Sequence, residues 1–117
     1  MHEQKNIVQL VGHVGADAEI KTTETGKKLA QFSLATNEVF QNAKGETVKQ
    51  TQWHRLVAWG KMADAAAKYA LKGSEVSVEG KLVHRNYNDK EGNKKYITEI
   101  QVNELSLVNK SPQLGSE

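Results

Sequence analysis

The sequence predicts an all-β domain interrupted by one helix, in the order β-β-β-α-β-β. Three observations carry that reading. Apolar and polar residues alternate with a period of two over most of residues 6–108; clusters of Gly, Asn, Asp and Lys interrupt the alternation; and one segment alone, Lys61 to Lys72, has the composition of a helix. The 117 residues suffice for one domain with a modest core and not for two. That domain is assigned to residues 1–109. Residues 110–117, which hold the only proline, Pro112, are read as a short flexible end.

The first strand, Asn6 to Val14, is apolar and rich in β-branched residues (Ile7, Val8, Val11, Val14), and Gly12 and Gly15 mark a bulge or bend near its close. Asp17, Glu19, Lys21 and Glu24 then read as a solvated loop, and Thr25-Gly26 as a turn. The second strand, Leu29 to Val39, sets Ala30, Phe32 and Leu34 on one face against Gln31, Ser33 and Asn37 on the other, so Phe32 is assigned to the core. Asn42-Ala43-Lys44-Gly45-Glu46 is a polar hairpin tip leading into a third strand that ends near Trp59. In the helix, Met62, Ala66, Tyr69 and Ala70 line the predicted buried stripe, and Asp64 pairs with Lys68 one turn away on the outside. Gly73 is expected just past the helix C-terminus. The fourth strand, Glu75 to Tyr87, sets Val76, Val78 and Leu82 opposite Glu79, Lys81, Arg85 and Tyr87. After a turn cluster at residues 88–93, Lys95 to Val108 returns as the fifth strand. Its Tyr96 either packs across the hairpin or contacts a ligand. Five strands with one helix between the third and fourth is the order of the OB-fold, a small Greek-key barrel.

Composition excludes several classes of protein. Cysteine is absent, which rules out a disulfide framework and thiolate metal sites and fits a reducing, cytoplasmic compartment. No run approaches the roughly 20 apolar residues of a membrane-spanning helix, and Met1-His2-Glu3-Gln4-Lys5 lacks the basic-then-apolar order of a secretory signal. A net charge of +2 is too small to argue for nucleic acid by itself. Its distribution is more informative. Lys44, Lys49, Arg55 and Lys61 surround the third strand, with Glu46 the one acid among them; Lys81, His84, Arg85, Lys90, Lys94 and Lys95 form a second group diluted by Asp89 and Glu91. Either group alone is an ordinary solvated strand edge. Flanking aromatics change the reading.

Trp53 and Trp59, the only tryptophans, lie six residues apart with Arg55 between them. On a strand, Trp53, Arg55, Val57 and Trp59 project from one side and His54, Leu56 and Ala58 from the other. Aromatic planes interleaved with positive charge are what holding unstacked bases and their phosphates requires. Lys49, Arg55, Lys61, Lys72, Lys81 and Arg85 are individually unremarkable surface cations, and as a group they suggest a phosphate track. Phe40 and Tyr87 stand at strand ends in polar surroundings, which favours exposure over burial.

In four ordered segments the chain resembles the bacterial single-stranded DNA-binding protein family. Residues 6–15 are similar to that family's first strand, Phe32-Ser33-Leu34-Ala35-Thr36-Asn37 to its second, Trp53-His54-Arg55-Leu56-Val57-Ala58-Trp59-Gly60-Lys61 to its most recognisable segment, and residues 72–82 to its helix exit and fourth strand. The resemblance implies an OB-fold that binds single-stranded DNA without strong sequence preference, commonly as a homotetramer, with no catalytic activity and no cofactor. It implies roles in DNA replication, recombination and repair for a cytoplasmic, nucleoid-associated protein. It also implies base stacking at Trp53, at Trp59 (where the family usually has phenylalanine), and at Phe40 and Tyr87 (where it has tryptophan). His54 matches a histidine that contributes to subunit contacts in the family. Two departures stand out. Ala18 replaces a proline after the first strand. The sequence also ends at Gln113-Leu114-Gly115-Ser116-Glu117 without the family's long linker and acidic, phenylalanine-terminated tip, so recruitment of partners through such a tail is not expected of it.

Two other classes compete. OB-fold nucleases and phosphatases need converging carboxylates for a metal; Asp17, Glu19 and Glu24 are the nearest such group, and with Lys21 among them they read as a solvated loop. No nucleophile–base pair or phosphate-cradling glycine loop is present, and His54 lacks a second metal ligand at suitable spacing. A primosome-like adaptor, an OB dimer binding both DNA and replication proteins, generally lacks the full set of four stacking aromatics.

Overall fold

The computed structural model describes residues 5–110, so all but Lys110 of the expected flexible end lies outside the described residues. Six strands and one helix follow in the order β1 (Val8–Val14), β2 (Glu19–Thr22), β3 (Lys28–Gln41), β4 (Thr47–Trp59), α1 (Lys61–Tyr69), β5 (Glu75–Asn88) and β6 (Lys94–Asn109). The sheet runs β1-β5-β6-β4-β3 and closes through a β1–β3 pairing, which makes a five-stranded barrel of OB-fold type. β4 and β6 pair in parallel at Leu56↔Ile100 and Val57↔Gln101, and the other pairings are antiparallel.

β2 corrects the expectation of a loop at residues 19–22. Glu19, Ile20, Lys21 and Thr22 pair with Gln31, Ala30, Leu29 and Lys28 outside the closed barrel. All four are exposed, so no buried face imposes an apolar alternation on them, and the strand is held by its backbone pairing.

The core is made by the alternation itself. Ala30, Phe32 and Leu34 of β3 meet Leu56 and Ala58 of β4, Val76 and Val78 of β5, Ile100 and Val102 of β6, and Val14 of β1. The helix seals one end of the barrel with Ala63, Ala66 and Ala70, each fully buried, at i, i+3 and i+7. Ala66 and Ala70 of the predicted stripe are therefore core, whereas Met62 and Tyr69 are half-buried at its margin. The helix ends at Tyr69 and not Lys72, where the Ala70 N–H donates to the Ala66 carbonyl at 2.8 Å. Asp64 pairs with Lys28 of β3 at 2.6 Å in place of the expected Lys68. Lys68 instead lies over the Tyr69 ring, 5.3 Å from its centroid.

Two glycines allow the barrel to close. A Cβ on Gly12 would lie 2.2 Å from the Ala35 carbonyl oxygen, and one on Gly80 2.1 Å from that of Gln101. At Gly12–His13, β1 passes from β5 toward β3, and opposite Glu79–Gly80 a bulge places the extra residue Asn103 in β6. Leu82, expected on the apolar face, lies opposite Ile100 and is 42% exposed.

Beyond the barrel, β3–β4 and β5–β6 continue as two hairpin arms. Their tips share one five-residue design. In Asn42–Glu46 and Asp89–Asn93 the first side chain accepts two backbone N–H groups, from Lys44 and Glu46 (2.9 and 3.0 Å) and from Glu91 and Asn93 (2.9 and 2.8 Å). The fourth residue of each, Gly45 and Gly92, has a positive φ of 78° and 85°.

Candidate nucleic-acid interface

Strand register decides which candidate residues share a surface, because paired residues project to the same side of a sheet. On β4, the odd positions Lys49, Trp53, Arg55, Val57 and Trp59 face out of the barrel, opposite Val39, Ala35, Ser33, Gln31 and Leu29 of β3. Val57 neighbours Gln101 of β6, and Gln101 pairs with Lys81 of β5. From Lys81 the same parity leads to Arg85 opposite Ile97 and Tyr87 opposite Lys95. Seven of the expected site residues (Lys49, Trp53, Arg55, Trp59, Lys81, Arg85 and Tyr87) thus occupy one continuous outward face spanning β3, β4, β6 and β5.

The aromatics on this face are open. Trp53 is 62% exposed, Tyr87 53% and Trp59 41%. Along β4, Trp53 and Trp59 stand roughly 20 Å apart at the usual strand rise. Trp53 has a defined seat: a Cβ on Gly15 would come within 2.7 Å of its Cζ3 and 3.1 Å of its Cη2, and within 3.0 Å of Ser33 Oγ. Gly15 has no positive φ, so the nearby indole, and not backbone strain, makes the small residue necessary there. Nothing in the sequence pattern separated Gly15 from the neighbouring bend glycine; the contact exists only once β1 and β4 are assembled.

Phe40 and His54 lie on the other side. Both occupy even positions, Phe40 opposite Val48 and His54 opposite Leu34, with no register shift between them and Trp53. Phe40 is exposed, on the arm's opposite face from Trp53. His54 is half-buried, with Nε2 2.9 Å from Thr36 Oγ1. Tyr96 shares this parity with Asn86 and is 75% exposed, with Lys94 Nζ 5.9 Å from its ring centroid. Lys61 and Lys72 lie outside the register, at the two ends of the helical segment; the Lys72 N–H donates to Asp17 Oδ1 at 2.8 Å.

Among the described residues, Lys49, Arg55, Lys61, Lys72 and Lys81 form no ion pair. Arg85 differs in having a partner within the protein. Its Nε and one Nη donate to the two carboxylate oxygens of Glu99 at 2.8 and 2.9 Å. The Glu99 side chain is 5% exposed against 54% for Arg85. The hydrogen bond to Glu99 holds the guanidinium above its ordinary pKa, with partial desolvation opposing and the carboxylate's charge adding to the rise. Its charge is thus balanced within the protein. Glu99 was missed by sequence reading, because its partner lies fourteen residues away on the adjacent strand.

Three hollows adjoin the aromatics. One of about 270 Å³ is lined by Trp59, Leu29, Gln31, Val57, Val83, Arg85, Glu99 and Gln101. A more open one beside Trp53 and Arg55 is lined also by Ser33, Gln31 and Glu19, and a third lies where Trp59 meets Lys27 and Lys28. No group of three or more His, Cys, Asp or Glu among the described residues is arranged to hold a metal. Among the described residues, no helix is long and apolar enough to cross a membrane.

Comparisons with known proteins identify the family and the fold. The model of the single-strand binding protein family matches residues 5–108. Single-stranded DNA-binding protein 1 of Chlorobaculum tepidum is 43% identical over 104 residues, covering 88% of this chain and 64% of that protein. Single-stranded DNA-binding protein 1 of Xylella fastidiosa is 39% identical over 106 residues, covering 90% of this chain and 78% of that protein. The chain therefore spans less than two thirds of the length of the Chlorobaculum relative. A solved structure of Plasmodium falciparum SSB in complex with ssDNA superposes with a TM-score of 0.78 at 37% identity, covering 93% of this chain and 98% of that one. With a family model matched along almost all of the described residues, the chain belongs to the single-strand binding protein family.

Proposed function

We propose that this protein binds and protects single-stranded DNA without strong sequence preference. The observation that carries the reading is the single outward face on which register aligns Trp53, Arg55, Trp59, Lys81 and Tyr87. Bases stack on Trp53, Trp59 and Tyr87, each contributing about 1–3 kcal/mol by alanine substitution, and any base suffices because each has a π-face. Phe40 adds a platform on the reverse of the β3–β4 arm, so a strand engaging both sides wraps the arm. Lys49, Arg55, Lys61, Lys72 and Lys81 neutralise phosphates and release counterions, which makes affinity fall as salt rises. Duplex DNA keeps its base faces inside the stack, so exposed aromatic platforms select single strands. Binding is passive, with no catalytic residue and no cofactor.

In the same reading the protein works as a homotetramer, in DNA replication, recombination and repair, as a cytoplasmic, nucleoid-associated protein. His54 contributes to subunit contacts, and exposed Ile7 and Val11 on and beside β1 offer further apolar surface for them. Titration with oligothymidylate tests the binding: tryptophan fluorescence should be quenched to saturation, and the affinity should drop as salt increases. Absence of quenching at saturating DNA, or degradation of labelled single strands in the presence of magnesium, would sink the reading. Light scattering of the intact protein tests the assembly, a dimer being the outcome against it.

A further inference from the structure

β2, the strand without a buried face, widens the outward sheet on the side of Trp59. Its residues pair with β3 as Glu19↔Gln31 and Lys21↔Leu29, and Gln31 and Leu29 stand in turn opposite Val57 and Trp59 of β4. Paired residues project to one side, so Glu19 and Lys21 continue the face that carries the tryptophans. Both pairings run on past the strand ends. The Thr23 N–H donates to the Lys27 carbonyl at 2.8 Å, the Lys27 N–H to Thr23 Oγ1 at 3.1 Å, and the Gly60 N–H to the Lys28 carbonyl at 3.0 Å. Lys27, two residues before Leu29, therefore keeps the outward parity, and it lines the hollow that also borders Trp59 and Gly60.

Charge separates the cations around Trp59. Lys21 pairs with Glu19 at 3.5 Å, Lys28 with Asp64 at 2.6 Å and Arg85 with Glu99 at 2.8 Å. Among the described residues Lys27 forms no ion pair, and neither does Glu24, the acid of its own turn. A phosphate that approaches Lys21, Lys28 or Arg85 meets a pair of zero net charge; one that approaches Lys27 meets a full positive charge. Lys61, which follows Gly60 in the chain and is also without an ion pair, adds a second such charge at this edge. We infer that Lys27 forms a phosphate subsite, and that the backbone of the bound strand leaves Trp59 across the β2–β3 turn. The inference rests on the proposed binding of single-stranded DNA. It goes beyond that reading by giving the strand's course past Trp59 and a phosphate ligand that lies outside the barrel strands, next to β2.

The test measures the affinity of the intact protein for oligothymidylate over a range of salt concentrations. Lys27→Gln should make the salt slope shallower by about 0.7, the value for one phosphate contact on a single strand, and Lys27→Arg should keep it. Lys27 is exposed, so both variants should melt as the unmodified protein does. Two controls separate a contact from bulk charge. Lys68→Gln removes the same charge from α1, and Lys28→Gln/Asp64→Asn removes a balanced pair beside the hollow; both should leave the slope unchanged. An unchanged slope in Lys27→Gln, or an equal change in either control, would overturn the subsite. Failure of the unmodified protein to bind oligothymidylate would instead remove the proposed function itself.

Discussion

Phe32 and Phe40 stand on the same strand, eight residues apart and on the same side of it, yet Phe32 is 6% exposed and Phe40 44%. Their backbones pair with β4 in one unbroken register. The difference is what lies above them. Phe32 sits where five strands and the helix close over a common interior, whereas Phe40 lies on an arm with nothing packed on its face. The barrel and the arms are thus the same ribbons under two conditions, one enclosed and one open. Side-chain parity says which residues share a face; only closure says whether that face is core or contact surface.

This contrast can be broken most directly in the barrel. Leu56 is fully buried, and Leu56→Ala should cost about 2–5 kcal/mol in stability through lost burial and the cavity left behind. Denaturant unfolding measures it, and a loss under about 1 kcal/mol would mean the barrel is less closed than described. Gly12→Ala places a methyl against the Ala35 carbonyl and should cost about 1–3 kcal/mol in the same assay.

On the open side the signs reverse. Trp53→Ala should lower affinity for oligothymidylate by about 1–3 kcal/mol while leaving the unfolding midpoint nearly unchanged; a large fall in stability would identify the ring as structural. Gly15→Ala should move the Trp53 indole from its seat, which near-ultraviolet circular dichroism detects, and lower affinity by less than Trp53→Ala does. In a Trp53→Ala background the Gly15 substitution should have no further effect on binding, and additive losses would show that Gly15 acts elsewhere. The smallest effect is expected at Lys49, whose replacement by alanine should reduce the salt slope of binding by about 0.7, so that the loss of affinity shrinks as salt rises.

Much of this was legible along the chain. The alternation of Ala30, Phe32 and Leu34, the helical run from Lys61, and the turn signals at Asn42–Glu46 and Asp89–Asn93 depend on neighbours within a few residues. So does the parity that put Trp53, Arg55 and Trp59 together. Local polarity was enough to assign Phe32 to the core and Phe40 to the surface. β2 was not legible, because a strand with no buried face carries no apolar period to read.

The sequence by itself therefore determined the five barrel strands, the helix, their order and the faces of those strands, since these follow from backbone geometry and the spacing of apolar residues. Only the tertiary structure decided that Tyr87 and Lys81 share the surface of Trp53 while Phe40 does not, because strand register is a relation between segments distant in the chain. Closure likewise brought Gly15 under Trp53, and the pairing of β5 with β6 set Glu99 against Arg85. Those contacts join residues on different strands, and no local pattern encodes them.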